Sequence, residues 1–428
     1  MGPHKDRMDC FVAIAPRNHV GASADDPTPP APINPSERID AIDVLRGIAL
    51  FGVMAINITS EFRVSIFEQF LSHKHPASPL DRVIETILTL AVDLKAFALF
   101  SLLFGIGLAI QFERLSASPR RTVLLVRRLI VLLAFGLIHL CLIWNGDILT
   151  EYALAGLIVL PFLFGPRRLL AISAAAFLLL YLALQRWMPS GVFPDFVVLT
   201  QDVADANRIY ATGGFADVQA FRLREILLII PLHIYIFART VGLFLLGAFA
   251  WRTGLLRNTP ASQRVLLATA VGGTGFGAAL ILGHASGIFT GVATNPLGTV
   301  LLAIGYGAAI IATANLARGK AWLGWAAPLG RMAFTNYLAQ SVIFGWIFYG
   351  YGLGLFGRLG TASALAIGTT VYVAQVVFSA WWLRRFRFGP VEWFWRLCMY
   401  AELQPMRQRR LSDNSSFSAR PGQIDTAP

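Results

Sequence analysis

The chain has 428 residues, of which 56% are hydrophobic and only 14% charged, against about 45–50% and about 25% in soluble globular proteins. That excess of apolar surface excludes a soluble fold of this length and predicts an all-α, polytopic integral membrane helix bundle. The formal charge of +12 falls mainly in short segments between apolar runs, so it marks topology and no nucleic-acid partner is expected. Cys10, Cys141 and Cys398 show no paired spacing, which argues against a disulfide framework and a zinc site; no metal is expected.

Residues 1–36 are rich in Pro, Ala and Asp and include the run Pro27-Thr28-Pro29-Pro30-Ala31-Pro32. Such a segment buries too little apolar area to fold and is expected to be a disordered tail. It also has no apolar signal-peptide core. Crossing a hydrocarbon layer of about 30 Å takes about 20 mostly apolar residues at about 1.5 Å each. Runs of that kind occur at 42–59, 84–111, 127–145, 148–165, 168–187, 226–250, 264–289, 296–316, 331–352 and 361–383. About ten spans are therefore predicted within a transmembrane domain at 37–402. The connection 188–225, with Asp195, Asp202, Asp205, Asp217, Arg222 and Arg224, is expected to form a small external cap. Residues 403–428 are a second polar tail. Alternate connections are unequal in charge, with about 25 Lys and Arg on one set and about eight on the other, which predicts cytoplasmic termini.

An ionisable side chain near the bilayer centre costs at least about 2.5–3.5 kcal/mol, so those that occur usually face the bundle interior. Asn57, Asp93, Lys95, His139, Trp144, Asp147, Glu151, His233, Arg239 and His284 all fall toward the external half and are expected to line one polar cavity. Each also has a structural reading. Asp93 and Lys95, two residues apart, point to different helix faces. Asp43 and Arg46 suit an interfacial anchor, and His139, Arg239 and His284 suit core hydrogen bonding.

Arg38-Ile39-Asp40, Leu45-Arg46-Gly47-Ile48-Ala49-Leu50, Asn57-Ile58 and Phe100-Ser101-Leu102-Leu103-Phe104-Gly105-Ile106-Gly107 together resemble the amino-terminal half of the bacterial YeiB-like family, also described as domain of unknown function 418. The same pattern continues in Gly136-Leu137-Ile138-His139, Trp144-Asn145-Gly146-Asp147-Ile148-Leu149 and Tyr152-Ala153. It ends in Leu329-Gly330-Arg331-Met332-Ala333-Phe334-Thr335-Asn336-Tyr337-Leu338, Gln340-Ser341, Phe348-Tyr349-Gly350, Gly389-Pro390-Val391-Glu392-Trp393 and Trp395-Arg396. The resemblance covers about residues 37–402. The first helix is also similar to those of transmembrane acyltransferases, including the heparan-alpha-glucosaminide N-acetyltransferase and acyltransferase-3 groups. Where acyltransferase-3 proteins carry a His eleven residues after the Arg, this chain has Asn57. The glucosaminide acetyltransferases have an Asn there and a catalytic His in the following connection, which corresponds here to the stretch holding His73 and His75.

The resemblance implies a membrane acyltransferase moving an acyl group from a cytoplasmic acyl-CoA-type donor to a cell-envelope glycan or small-molecule acceptor. Such a transfer needs a general base, and His suits it because its unperturbed pKa is near neutral. His139 is the first candidate, followed by His73 and His75. Asp147 or Glu151 is expected to orient the imidazole, and Asn57 or Trp144 to donate to a developing oxyanion. Arg331, Asn336, Gln340 and Arg396, near the cytoplasmic mouth, are the candidates for binding the acyl-CoA, since guanidinium binds phosphate bidentately. For any single arginine, ordinary positive-inside anchoring and contact with membrane lipid are the favoured reading. A transporter or exporter using the same buried His, Asp and Arg is the competing class. The sequence leaves the acyl group, the acceptor and any oligomer open. Gly272-Gly273-Thr274-Gly275-Phe276-Gly277 lies in an apolar span, where close helix packing accounts for it better than a phosphate loop.

Overall fold

The structure, a computed structural model, describes residues 40–71, 78–187 and 194–408. The sites predicted at His73 and His75, the tail predicted at 1–36 and most of that at 403–428 lie outside those residues. Within them the chain is helical, with one isolated bridge between Phe386 and Arg407.

The helices run α1 Asp40–Asn57, α2 Pro79–Ala91, α3 Lys95–Arg114, α4 Arg121–Ile138, α5 Leu149–Val159, α6 Arg167–Trp187, α7 Phe196–Thr212, α8 Phe215–Arg252, α9 Pro260–Ala285, α10 Thr294–Ala314, α11 Ala317–Leu323, α12 Ala326–Arg331, α13 Ala333–Phe348, α14 Thr361–Leu383 and α15 Pro390–Tyr400. Wider π-helical turns extend α1 over Ile58–Phe62 and α4 over His139–Ile143. Among the described residues, eight helices are long and apolar enough to cross a membrane. The predicted spans at 148–165 and 331–352 are also helical, but shorter, at Leu149–Phe164 and Ala333–Phe348.

Two ends of the bundle are distinguished by which connections meet there. At the Asp40 end, Lys320 pairs with Asp40 at 2.5 Å, Arg252 Nη1 donates to the Gly165 carbonyl at 2.7 Å, and the Phe334 and Thr335 amides donate to Glu392 at 2.9 and 3.0 Å. At the opposite end the Gly350 amide reaches the Tyr210 carbonyl at 2.7 Å, and the Gly357 amide the Arg63 carbonyl at 2.8 Å. Helix α1 lies centrally, with Leu45, Leu50, Val53 and Met54 fully covered. Helices α6 and α9 leave Ile172 and Val271 exposed, as an apolar face turned to lipid requires.

Close helix approach fixes the central packing. A Cβ on Gly330 would stand 1.9 Å from the Asp43 carbonyl oxygen, and one on Gly47 would stand 2.2 Å from that of Ala326. The two motifs around Arg46 and Gly330, far apart in sequence, are thus the two sides of one α1–α12 contact, where backbones meet because side chains are absent. The Gly-rich stretch of α9 does the same against α10, with Gly277 over Gly298 and Gly273 over Gly305.

Two boundaries differ from the sequence reading. Helix α8 starts at Phe215 and not near residue 226, giving 38 residues and about 57 Å of helix, well beyond a bilayer core. The expected cap at 188–225 contains α7, which packs Leu199 and Val203 against Phe67 and Ile229. Residues 403–408, placed in the polar tail, fold back on the chain: the Arg387 amide donates to the Met406 carbonyl at 2.8 Å and Trp393 Nε1 to that of Gln404.

Candidate active site

Helix α4 and the segment after it build the centre of the site. Its π-helical turn opens at His139 and closes with the Trp144 amide on the His139 carbonyl at 2.7 Å. The chain then reverses through Asn145-Gly146 into α5, whose first turn Asp147 caps by accepting the Thr150 amide at 2.7 Å. The reversal is tight because Gly136 has no side chain: a Cβ there would lie 2.5 Å from the Thr150 nitrogen. With α5 held that close, the second Asp147 oxygen meets His139 Nδ1 at 2.8 Å. His139 Nε2 lies 2.9 Å from Ser341 Oγ on α13, 202 residues away in sequence. His139, Asp147 and Ser341 are 0%, 2% and 2% exposed. A carboxylate at Nδ1 selects the tautomer with its proton there and leaves Nε2 as the basic nitrogen. The set is a Ser–His–Asp constellation.

Trp144 stands nearly perpendicular to the imidazole, centroids 6.1 Å apart, and stacks on Phe62 at 4.5 Å. It also lines a small cavity near the opposite end with Glu61, Ser65, Asn145, Gly146, Tyr210, Glu225 and Tyr349. The cavity has room for about one water. Asn145 Nδ2 donates to Glu225 at 2.6 Å, and the Tyr210 hydroxyl to the same carboxylate at 2.5 Å.

Among the described residues, those expected to share one cavity fall into several hydrogen-bonded groups, and of them Trp144 lines this pocket. Several of these groups find a partner, since a buried polar group left unmet costs about 2–7 kcal/mol. Glu151 does not reach His139; it takes His233 Nδ1 at 2.9 Å and the Thr240 hydroxyl. Lys95 Nζ donates to the Thr89 carbonyl at 2.8 Å, and His284 Nδ1 faces the Phe289 carbonyl at 3.2 Å. Arg239 is buried over the Tyr181 ring, with Nε and Nη1 unmet among the described residues. Asn57 is buried at the end of α1, and its Oδ1 has no hydrogen-bond partner among the described residues.

At the Asp40 end, Asn336 Nδ2 donates to Ser379 Oγ at 2.9 Å, Gln340 Nε2 to Gln375 Oε1 at 2.8 Å, and Gln375 Nε2 back to the Asn336 carbonyl at 3.0 Å. These amides clamp α13 to α14. Arg396 lies over the Phe388 ring at 4.4 Å, and Arg331 closes α12. The residue missed as a partner of His139 is Ser341. It stands eight positions into α13, about 12 Å along the axis. Its polarity on an apolar helix, next to Gln340, was the available signal.

Asp202 on α7 lies beyond the spans; burial, opposed by its hydrogen bond to Glu225 and reinforced by the nearby Asp205 charge, pushes its carboxyl up to about 6, the proton being shared with Glu225. In an unfolded chain the same group titrates near about 3.9. The folded state therefore keeps a proton the unfolded state has lost, and this contribution to stability, full below about pH 4, is lost as pH rises to about 6. The thermal midpoint of the purified protein is expected to fall over that window, and Asp202→Asn to flatten that part of the fall. An unaltered profile in the variant would show that another group titrates there.

Residues 250–402 match the family model described as "Protein of unknown function (DUF418)". Over 397 residues the chain is 34% identical to the uncharacterized protein YxaH of Bacillus subtilis, covering 87% of this chain and 97% of that one. It is 29% identical over 382 residues to the uncharacterized protein YeiB of Escherichia coli, covering 84% and 96%. An uncharacterized 39.9 kDa protein in the amylase 3' region of Bacillus acidopullulyticus is 27% identical over 392 residues, covering 89% and 99%. No solved structure matches. A membrane helix bundle whose matching relatives extend over nearly their whole length, this chain belongs to the YeiB-like DUF418 family.

Proposed function

We propose that this protein is an acyltransferase of the cell membrane, most simply a bacterial inner membrane, with His139 as its general base. The observation that carries the reading is the buried His139–Asp147 contact at 2.8 Å, which leaves Nε2 free of its own proton and aimed into the bundle. In this scheme the acyl-CoA-type donor approaches from the Asp40 end, the cytoplasmic end by the charge bias. Arg331 and Arg396 on that end are suited to its phosphates. The acceptor, a glycan or small molecule of the envelope, enters by the opposite end, where Trp144 separates the imidazole from the polar cavity. His139 takes the acceptor's proton as its oxygen or nitrogen attacks the acyl carbon.

A transport reading draws on different groups: His233 on Glu151, and Arg239, buried over the Tyr181 ring with two of its nitrogens unmet among the described residues. Purified protein in proteoliposomes, given radiolabelled acetyl-CoA outside and a bacterial envelope extract inside, separates the two. Transfer predicts label covalently attached to an extract component. Label that crosses without becoming attached would replace the proposal with transport.

A further inference from the structure

We infer that Ser341 is a nucleophile that carries the acyl group covalently, in a Ser341–His139–Asp147 triad. The inference rests on the acyltransferase reading and goes beyond it, because a base alone needs donor and acceptor at the imidazole together.

The geometry has the links such a relay requires. Ser341 Oγ lies 2.9 Å from Nε2, Asp147 lies 2.8 Å from Nδ1, and the other Asp147 oxygen is fixed by the Thr150 amide at 2.7 Å. Three chain elements supply the set, so its alignment is a tertiary construction and not a by-product of one helix. The second Ser341 contact, to the Tyr337 carbonyl, is long at 3.4 Å against 2.9 Å to Nε2, so the imidazole is the nearer acceptor for the hydroxyl proton. Position adds to the case. Ser341 follows the Asn336 and Gln340 amides along α13 from the Asp40 end, and Trp144 bounds His139 on the side of the opposite cavity. A serine at that midpoint lets an acyl group pass between two ends that the donor and the acceptor need not both reach.

In the first half-reaction Ser341 Oγ attacks the thioester carbonyl and its proton goes to His139 Nε2. The C–S bond breaks, and the thiolate takes that proton to leave as a free thiol. In the second half, an acceptor hydroxyl or amine attacks the serine ester and its proton goes to Nε2. The ester C–O bond then breaks, and Nε2 returns the proton to Ser341 Oγ.

The test uses the full chain, purified in detergent, and a fluorophosphonate probe, which an activated serine attacks with loss of fluoride. Peptide mass spectrometry is expected to place the adduct on Ser341, with none in Ser341→Ala and at least about 100-fold slower labelling in His139→Ala. No adduct at Ser341 in monodisperse wild-type protein would overturn the inference, as would equal rates with and without His139. Acetyl transfer from acetyl-CoA, followed in the same preparations, keeps the two ideas apart. Transfer that survives Ser341→Ala but not His139→Ala removes the nucleophile and leaves the base. A Ser341 adduct in a protein that transfers no acetyl group supports the triad and removes acetyl-CoA as the donor.

Discussion

Asp147→Asn is expected to leave the protein folded and to lower acyl-transfer turnover by about 10²- to 10⁴-fold, close to the loss from His139→Ala. Asp147 accepts two hydrogen bonds, from the Thr150 amide at 2.7 Å and from His139 Nδ1 at 2.8 Å. An Asn amide has one acceptor oxygen. Turned to the Thr150 amide, it keeps the α5 cap and presents its NH₂ to Nδ1, which can then only accept. The imidazole proton moves to Nε2, and the nitrogen facing Ser341 loses its basicity. Size and cap are retained, and a charge is removed from the bundle interior, so stability should hold. Turnover of purified variants, read beside their thermal midpoints, checks this. Full activity in Asp147→Asn would show that the tautomer at His139 is irrelevant and would leave the contact a structural hydrogen bond.

Much of this was legible in the sequence, because bilayer energetics write long apolar runs and small-residue contacts directly into the chain. The α9–α10 glycine contact and the contact of Asp147 with His139 follow from local features: a Gly-rich apolar span, and two polar residues bracketing one reversal. What was illegible is tertiary. Nothing between residues 139 and 341 says that two helices 202 positions apart will meet at those side chains. The early start of α8 was hidden because its first turns, through Asp217, Arg222 and Glu225, are polar; hydropathy ends a span where water begins, while the helix continues. How the polar residues group was hidden for a physical reason as well. Depth along a helix is visible from position, but rotation about it is not, and rotation sends Glu151 to His233 and leaves Asp147 to His139.

Gly136→Val should couple the packing to the chemistry most directly. The Cβ it adds would meet the Thr150 nitrogen at 2.5 Å, its Oγ1 at 2.6 Å and its Cα at 2.9 Å. Two of those are backbone atoms that cannot rotate away, so relief requires α5 to shift. Overpacking of this kind costs about 1–3 kcal/mol. Asp147 moves with α5, since the Thr150 amide holds it, and the contact to His139 lengthens. A misplacement of about 1 Å at a reacting group lowers turnover by roughly 100-fold. Gly272→Val is the matched control on α9, where an added Cβ meets nothing within 4 Å, and it is expected to leave both stability and turnover near wild type. A Gly136→Val protein that is destabilised but still fully active would show that the α4–α5 approach holds the bundle together without positioning Asp147 for catalysis.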